Sequence, residues 1–68
     1  MATRTCEGHP FRSTGNTYEI RVKDGMVAVA CSYVPASEEE RQALNEAMRT
    51  TGFVTLGFDG VRIVGLVL

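Results

Sequence analysis

Two cysteines and a single histidine are the residues of this chain best suited to do chemistry. Cys6 and His9 form a Cys-x-x-His pair, and Cys31 follows later in the sequence. Thiolate and imidazole are preferred zinc ligands, so the three could fill three of the four tetrahedral positions around the ion. A structural site also needs a fourth ligand and usually a second close pair, but the chain has no other histidine or cysteine, and Glu7 is the only acid nearby. We therefore expect no metal and no other cofactor. Two free thiols are the expected state, and a Cys6–Cys31 disulfide is the alternative.

The same cysteine and histidine could also act as a nucleophile and its base. This chemistry needs a base that a third group orients beside a substrate pocket. The sequence offers no second histidine, no glycine-rich phosphate loop and no recognisable pair of catalytic carboxylates. We therefore predict that the protein is not an enzyme and has no small-molecule substrate.

Length and charge limit the remaining functions. A chain of 68 residues forms one domain, and its content of 44% hydrophobic and 22% charged residues is typical of folded proteins. The net charge of -1 gives no long-range attraction to a phosphate backbone, so nucleic-acid binding is possible but not favoured. The first fifteen residues lack the apolar run of a secretory signal, and no segment is long and apolar enough to span a membrane. We expect a cytoplasmic protein.

The elements that must position these residues begin with a β-hairpin. Apolar and polar residues alternate strictly from Thr17 to Lys23, as in a half-buried strand. Asp24-Gly25 then predicts a two-residue type I′ turn. The pairs expected on the apolar face are Val22 with Val27, Ile20 with Val29 and Tyr18 with Cys31.

A helix is predicted to follow, from Ser37 to about Thr51. Ser37 and Glu40 have the spacing of a capping box, in which each side chain accepts a bond from the other residue's backbone N–H. Gly52 is the expected residue just past the helix end. Its apolar stripe consists of Ala43, Leu44, Ala47, Met48 and Thr51.

A second Asp-Gly pair, Asp59-Gly60, predicts a second hairpin from 53–58 and 61–68. The pairs expected on its core face are Phe58 with Val61, Leu56 with Ile63 and Val54 with Gly65. The predicted fold is therefore α+β: two β-hairpins joined by one helix (ββαββ), with a four-stranded, mainly antiparallel sheet and the helix on one face. Residues 16–68 form this domain, and residues 1–15 are predicted to be an irregular N-terminal arm because they show no period.

The second hairpin places apolar residues on the outer face of the sheet, where polar residues are normal. An exposed apolar cluster usually marks an interaction site. The partner-binding residues predicted on this face are Phe53, Val64, Leu66, Arg62, Arg21 and Thr55. Three alternatives remain: the N-terminal arm covers the cluster through Phe11, the cluster mediates self-association, or the cations and Phe53 bind nucleic acid.

The order of elements resembles that of small anti-CRISPR proteins of phages and mobile elements. The resemblance covers residues 17–68 and rests on Tyr18-Glu19-Ile20, the Asp24-Gly25 hairpin, the single helix, and Phe53-Val54-Thr55-Leu56-Gly57. It implies a non-catalytic inhibitor that binds a CRISPR effector complex and blocks DNA binding or nuclease recruitment. We therefore expect a small protein-binding module of this inhibitor type. A small nucleic-acid-binding domain that uses the outer sheet face, or a structural homo-oligomer subunit, is the alternative.

Overall fold

The fold consists of five strands and one helix, and the structure, a computed structural model, describes residues 3–68. The elements in chain order are β1 (Arg4–Thr14), β2 (Thr17–Asp24), β3 (Val27–Tyr33), α1 (Glu38–Thr50), β4 (Val54–Phe58) and β5 (Ile63–Leu66). All five strands form one antiparallel sheet in the order β3-β2-β1-β4-β5. The predicted α+β class with one helix is confirmed, but the prediction of four strands is wrong.

The strand order is that of a Greek key. Three consecutive strands form a meander, and β4 returns through α1 to lie on the other side of β1. The two edge strands, β3 and β5, come into contact, so the sheet curls around its core. Among residues 3–68, no helix is long and apolar enough to cross a membrane.

The fifth strand is the segment predicted to be an irregular arm. Residues 4–14 form β1, the central strand, which pairs with both β2 and β4. Its core-facing positions include Gly8 and Pro10, which are poor strand formers. The usual alternation of large apolar and polar residues is therefore not visible in the sequence of β1. Gly15, with φ 60°, opens the tight turn to β2. Residues 1 and 2 of the predicted arm lie outside the described residues.

The first predicted hairpin exists, but its register is shifted by two residues. Asp24 pairs with Val27 and Val22 with Val29, so the turn residues are Gly25 and Met26. Gly25, with φ 65°, is the first central residue, as in a type II′ turn rather than the predicted type I′. A shift of two residues leaves every side chain on its predicted face.

The second hairpin differs from its prediction in both turn and register. Phe58 pairs with Ile63, so the connection has four residues, and the Asp59 carboxylate accepts the N–H groups of Val61 and Arg62, each at 2.8 Å. Next along the hairpin, Gly57 pairs with Gly65 and Leu56 with Leu66. Val64 is therefore an extra residue, a β-bulge that reverses the faces beyond it. Leu66, predicted on the outer face, packs against the core instead.

The predicted helix is confirmed, and it closes one side of the core. Leu44 and Ala47 are buried, and Met48 packs against the same cluster. The fully buried side chains of this cluster include Ile20, Val22, Leu56 and Phe58. At its end Thr51, not the expected Gly52, adopts the left-handed conformation, with φ 55°.

Only half of the predicted capping box forms. Ser37 accepts the N–H of Glu40 at 3.2 Å. The Glu40 carboxylate accepts instead from the Tyr33 hydroxyl at 2.6 Å and from the N–H groups of Ala36 at 2.8 Å and Leu66 at 3.4 Å. Glu40 thus joins the start of the helix to β3 and β5. Burial and the bond to Glu40 raise the pKa of Tyr33 to about 12.

Candidate functional site

The outer face of the sheet does not carry the single patch that the sequence predicts. Phe53 and Val64 are exposed as expected, at 56% and 52% of their surface. They lie at opposite ends of β4, because Phe53 contacts His9 while Val64 lies over Gly57. The patch is therefore split in two.

The other predicted site residues distribute between these two ends. Thr55 is exposed on β4 between Phe53 and Gly57. Arg62 lies in the β4–β5 connection, 3.7 Å from the Asp59 carboxylate, and Leu66 faces the core. Only Arg21, directly opposite His9 in the β1–β2 ladder, lies on the same part of the sheet as Phe53.

Around Arg21 and Phe53 the sheet presents a surface that we call the cationic–aromatic face. It consists of His9, Phe11 and Arg12 on β1, Arg21 and Lys23 on β2, and Phe53 just before β4. A β-bulge between Pro10 and Arg12 creates part of it. Pro10 points into the core, while the bulge lets both Phe11 and Arg12 remain exposed. The alternation of β2 places its cations on this side because Ile20 and Val22 occupy the core side.

A groove of about 330 Å³ runs through this face. Its lining residues are His9, Arg21, Lys23, Ala28, Thr51 and Phe53. Ala28 lies opposite Lys23 in the β2–β3 ladder, and its small side chain leaves the groove open on that side. The C-terminal end of α1 supplies the other wall through Thr51.

Hydrogen bonding and ring packing hold His9 in position. Its Nδ1 lies 2.6 Å from the carbonyl oxygen of Gly52, just beyond the end of α1. The imidazole ring also packs against Phe53, with ring centroids 5.8 Å apart and a tilt of 56°. The helix end thus sets the positions of both rings.

A second aromatic contact lies one row along the sheet. The Arg21 guanidinium lies over the Phe11 ring, 5.4 Å from its centroid. Phe11 is exposed over 40% of its surface. A cation over an aromatic face is stabilised by the ring quadrupole, so this contact holds the Arg21 side chain beside Phe11.

The cationic–aromatic face also concentrates the cations that have no carboxylate partner. Four of the seven cations form ion pairs: Arg4 with Asp24, Arg41 with Glu38, Arg49 with Glu46, and Arg62 with Asp59. Among residues 3–68, the other three, Arg12, Arg21 and Lys23, form no ion pair, and all lie on this face. Glu7 and Glu19 share the face, opposite Lys23 and Arg12 in the β1–β2 ladder. The local charge is therefore weakly positive, while α1 carries four glutamates against two arginines.

The possible zinc or nucleophile set from the sequence is not brought together. Cys6 is buried in the core, whereas His9 lies on the opposite face of β1. In the part of the chain that the structure describes, no three potential ligands cluster. Both cysteines are free, and the Cys31 thiol lies 3.9 Å from the carbonyl oxygen of Val61. Burial, with a smaller contribution from Asp59, raises the pKa of Cys31, so its thiol stays protonated and weakly nucleophilic at neutral pH.

Four residues of the cationic–aromatic face were missing from the predicted partner-binding residues: Lys23 on β2, and His9, Phe11 and Arg12 on β1. The last three lie in the segment that was predicted to be an irregular arm. The available signal was Gly15-Asn16, a dipeptide typical of two-residue hairpin turns, next to the recognised strand β2. Reading it as a turn would have predicted a strand before it.

Comparisons with known proteins assign no family to the chain. No protein-family model matches it, and no curated protein or solved structure gives a significant match. The chemistry of the cationic–aromatic face is accordingly the basis for a functional proposal.

Proposed function

We propose that the protein is a non-catalytic binding domain that holds single-stranded nucleic acid on its cationic–aromatic face. The observation that carries the proposal is the convergence of three cations without carboxylate partners and three aromatic rings on one side of the sheet. Proteins that bind single strands combine cations along the backbone path with rings on which bases stack.

Ring exposure favours single strands over a duplex. Phe53 and Phe11 expose about half of their surface on a face that is otherwise polar. Bases in a duplex are already stacked on one another and present only their edges, so a ring on the protein gains a stacking partner only from an unpaired base. Partly open, five-stranded Greek-key barrels provide a fold-level analogy, since they bind oligonucleotides on an outer strand face.

The small number of cations sets the expected strength and salt dependence. With three phosphate contacts, the logarithm of the binding constant should fall with the logarithm of salt concentration with a slope of about -2 for a single strand. Such a shallow slope fits a protein whose net charge is only -1. Stacking then has to contribute much of the affinity.

Fluorescence anisotropy with a labelled single strand and its duplex tests the proposal. The single strand should bind more tightly, and Phe53→Ala should weaken binding by about 1–3 kcal/mol, the usual contribution of one stacked base. Arg21→Ala should make the salt slope shallower by about 0.7. Arg49→Ala is the matched control, because Arg49 is exposed on α1 and paired with Glu46. The proposal would be refuted if the single strand shows no saturable binding, or if Arg49→Ala changes the salt slope as much as Arg21→Ala does.

A second candidate function, binding of a protein partner, is favoured by a separate observation. The β4–β5 hairpin exposes Val61 and Val64 at the far end of the sheet from Phe53. An inhibitor of the anti-CRISPR type in the cytoplasm, or a homo-oligomer, would use this apolar end.

Val64→Asp tests the second candidate. It should abolish partner binding or dissociate an oligomer, because the interface would have to desolvate an unpaired charge. Sedimentation over a range of protein concentrations detects self-association, and a purified effector complex tests inhibition directly. A monomer whose stability and binding are unchanged by Val64→Asp would count against this candidate.

A further inference from the structure

We propose that the groove beside His9 is a subsite for one nucleotide, and that His9 takes up a proton when the phosphate of that nucleotide binds. In this subsite a base stacks on Phe53, and the attached phosphate contacts Arg21, Lys23 and the protonated form of His9. The inference rests on the proposed binding of single-stranded nucleic acid. It adds the position of one nucleotide and a dependence of binding on pH.

Size and composition of the groove match one nucleotide. Its volume of about 330 Å³ lies at the lower end of the range for small-molecule sites, about 300–1,000 Å³. Phe53 and Ala28 provide apolar surface, while Arg21 and Lys23 provide the charges. A base and its phosphate have the same division into an apolar, stacking part and an anionic part.

The bond to Gly52 determines which nitrogen of His9 is available to a ligand. A carbonyl oxygen can only accept a hydrogen bond, so Nδ1 must carry a proton at 2.6 Å from the Gly52 oxygen. In the neutral ring, Nε2 is then an acceptor, which repels a phosphate oxygen. Protonation turns Nε2 into a donor and adds a positive charge, and both changes favour an anion.

The charged groups that face His9 make this protonation responsive to a ligand. Arg21 lies directly opposite on β2, Lys23 lines the same groove, and Glu7 precedes His9 by two residues on the same face of β1. The residues contributed by β3, the helix end and the start of β4, namely Ala28, Thr51, Gly52 and Phe53, are uncharged. A phosphate bound among Arg21, Lys23 and His9 places negative charge beside the imidazole and favours its protonated form, so binding and proton uptake assist each other.

Oligothymidylate is the appropriate probe, because neither thymine nor a phosphodiester titrates near neutral pH. We expect its affinity to be about fivefold higher, or more, at about pH 5.5 than at about pH 8. His9→Gln should abolish this difference and bind like the wild type at the higher pH. Since His9 is the only histidine, its NMR ring signals can be followed without ambiguity. At about pH 7 these signals should move toward those of the protonated ring when oligothymidylate is added.

The outcomes separate the subsite from the broader function. If oligothymidylate binds equally well at both pH values, or if the pH dependence survives in His9→Gln, the subsite inference is wrong while single-strand binding stands. If no single strand binds at any pH, the proposed function itself fails. Thermal melts at both pH values verify that the protein is folded, and the wild-type NMR titration gives an answer even if His9→Gln is unstable.

Discussion

Gly8 is the position at which the central place of β1 can be tested most directly. It lies on the core side of β1, between β2 and β4, and is buried. A Cβ atom added here would lie 2.7 Å from Cγ2 of Ile20 and 2.8 Å from Cδ2 of Leu56, both fully buried side chains. Carbon atoms normally pack at about 3.5–4.0 Å. Gly8→Ala therefore forces two core side chains apart at once.

Two opposing effects set the loss of stability expected for Gly8→Ala. Adding a methyl group to a well-packed core typically costs about 1–3 kcal/mol, while replacing glycine lowers the entropy of the unfolded chain and returns about 0.4–1 kcal/mol. We expect a net loss of about 1–2 kcal/mol. In a domain of this size each kcal/mol corresponds to about 4–8 °C in Tm.

Thermal and denaturant unfolding followed by circular dichroism measure this loss. Gly65→Ala is the matched control, because a Cβ atom there meets no atom within 4 Å and the residue also lies in the sheet. Gly65→Ala should be neutral or slightly stabilising. If Gly8→Ala is equally harmless, residues 4–14 do not pack as the central strand, and the original prediction of an irregular arm was right.

Three further predictions concern the helix ends and the bulge. Thr51→Gly should stabilise the fold by about 1 kcal/mol in denaturant unfolding, because a β-branched residue is strained at φ 55°; an unchanged midpoint would contradict this strain. Burial by itself raises the pKa of Glu40, but the bonds from Tyr33, Ala36 and Leu66 outweigh it and hold the pKa below its usual 4.5. The stability that the Glu40 carboxylate contributes is therefore present above pH 4.5 and is lost as the pH falls through the lower pKa of the folded state. The difference in unfolding free energy between the wild type and Glu40→Gln should shrink over this pH range. A difference that stays constant would refute the role of the charge. Leu66→Ala should cost about 1–2 kcal/mol and Val64→Ala less than about 0.5 kcal/mol, since the bulge turns only Leu66 to the core; equal costs would contradict the bulge.

Local patterns in the sequence were sufficient for the elements whose signals are short-range. The alternation around Ile20 predicted β2 and its faces, and the Ser37 cap predicted the start of α1. Even the two-residue register error in the first hairpin left each side chain on its predicted face. These features depend on neighbours a few positions apart, so a single sequence displays them. Arg21 and Phe53, two residues of the candidate site, were predicted for the same reason.

The composition of the site was decided by long-range packing. β1 is a strand because β2 and β4 pair with its two edges. Ile20 and Leu56 leave room for no side chain at position 8, so a glycine fits there. That pairing carries His9 and Phe11 to the outer face beside Arg21. The sequence by itself therefore determined the helix, two hairpins and the sidedness of β2. The tertiary structure alone decided which strand is central and which side chains meet, because those contacts join residues far apart in the chain and no local propensity encodes them.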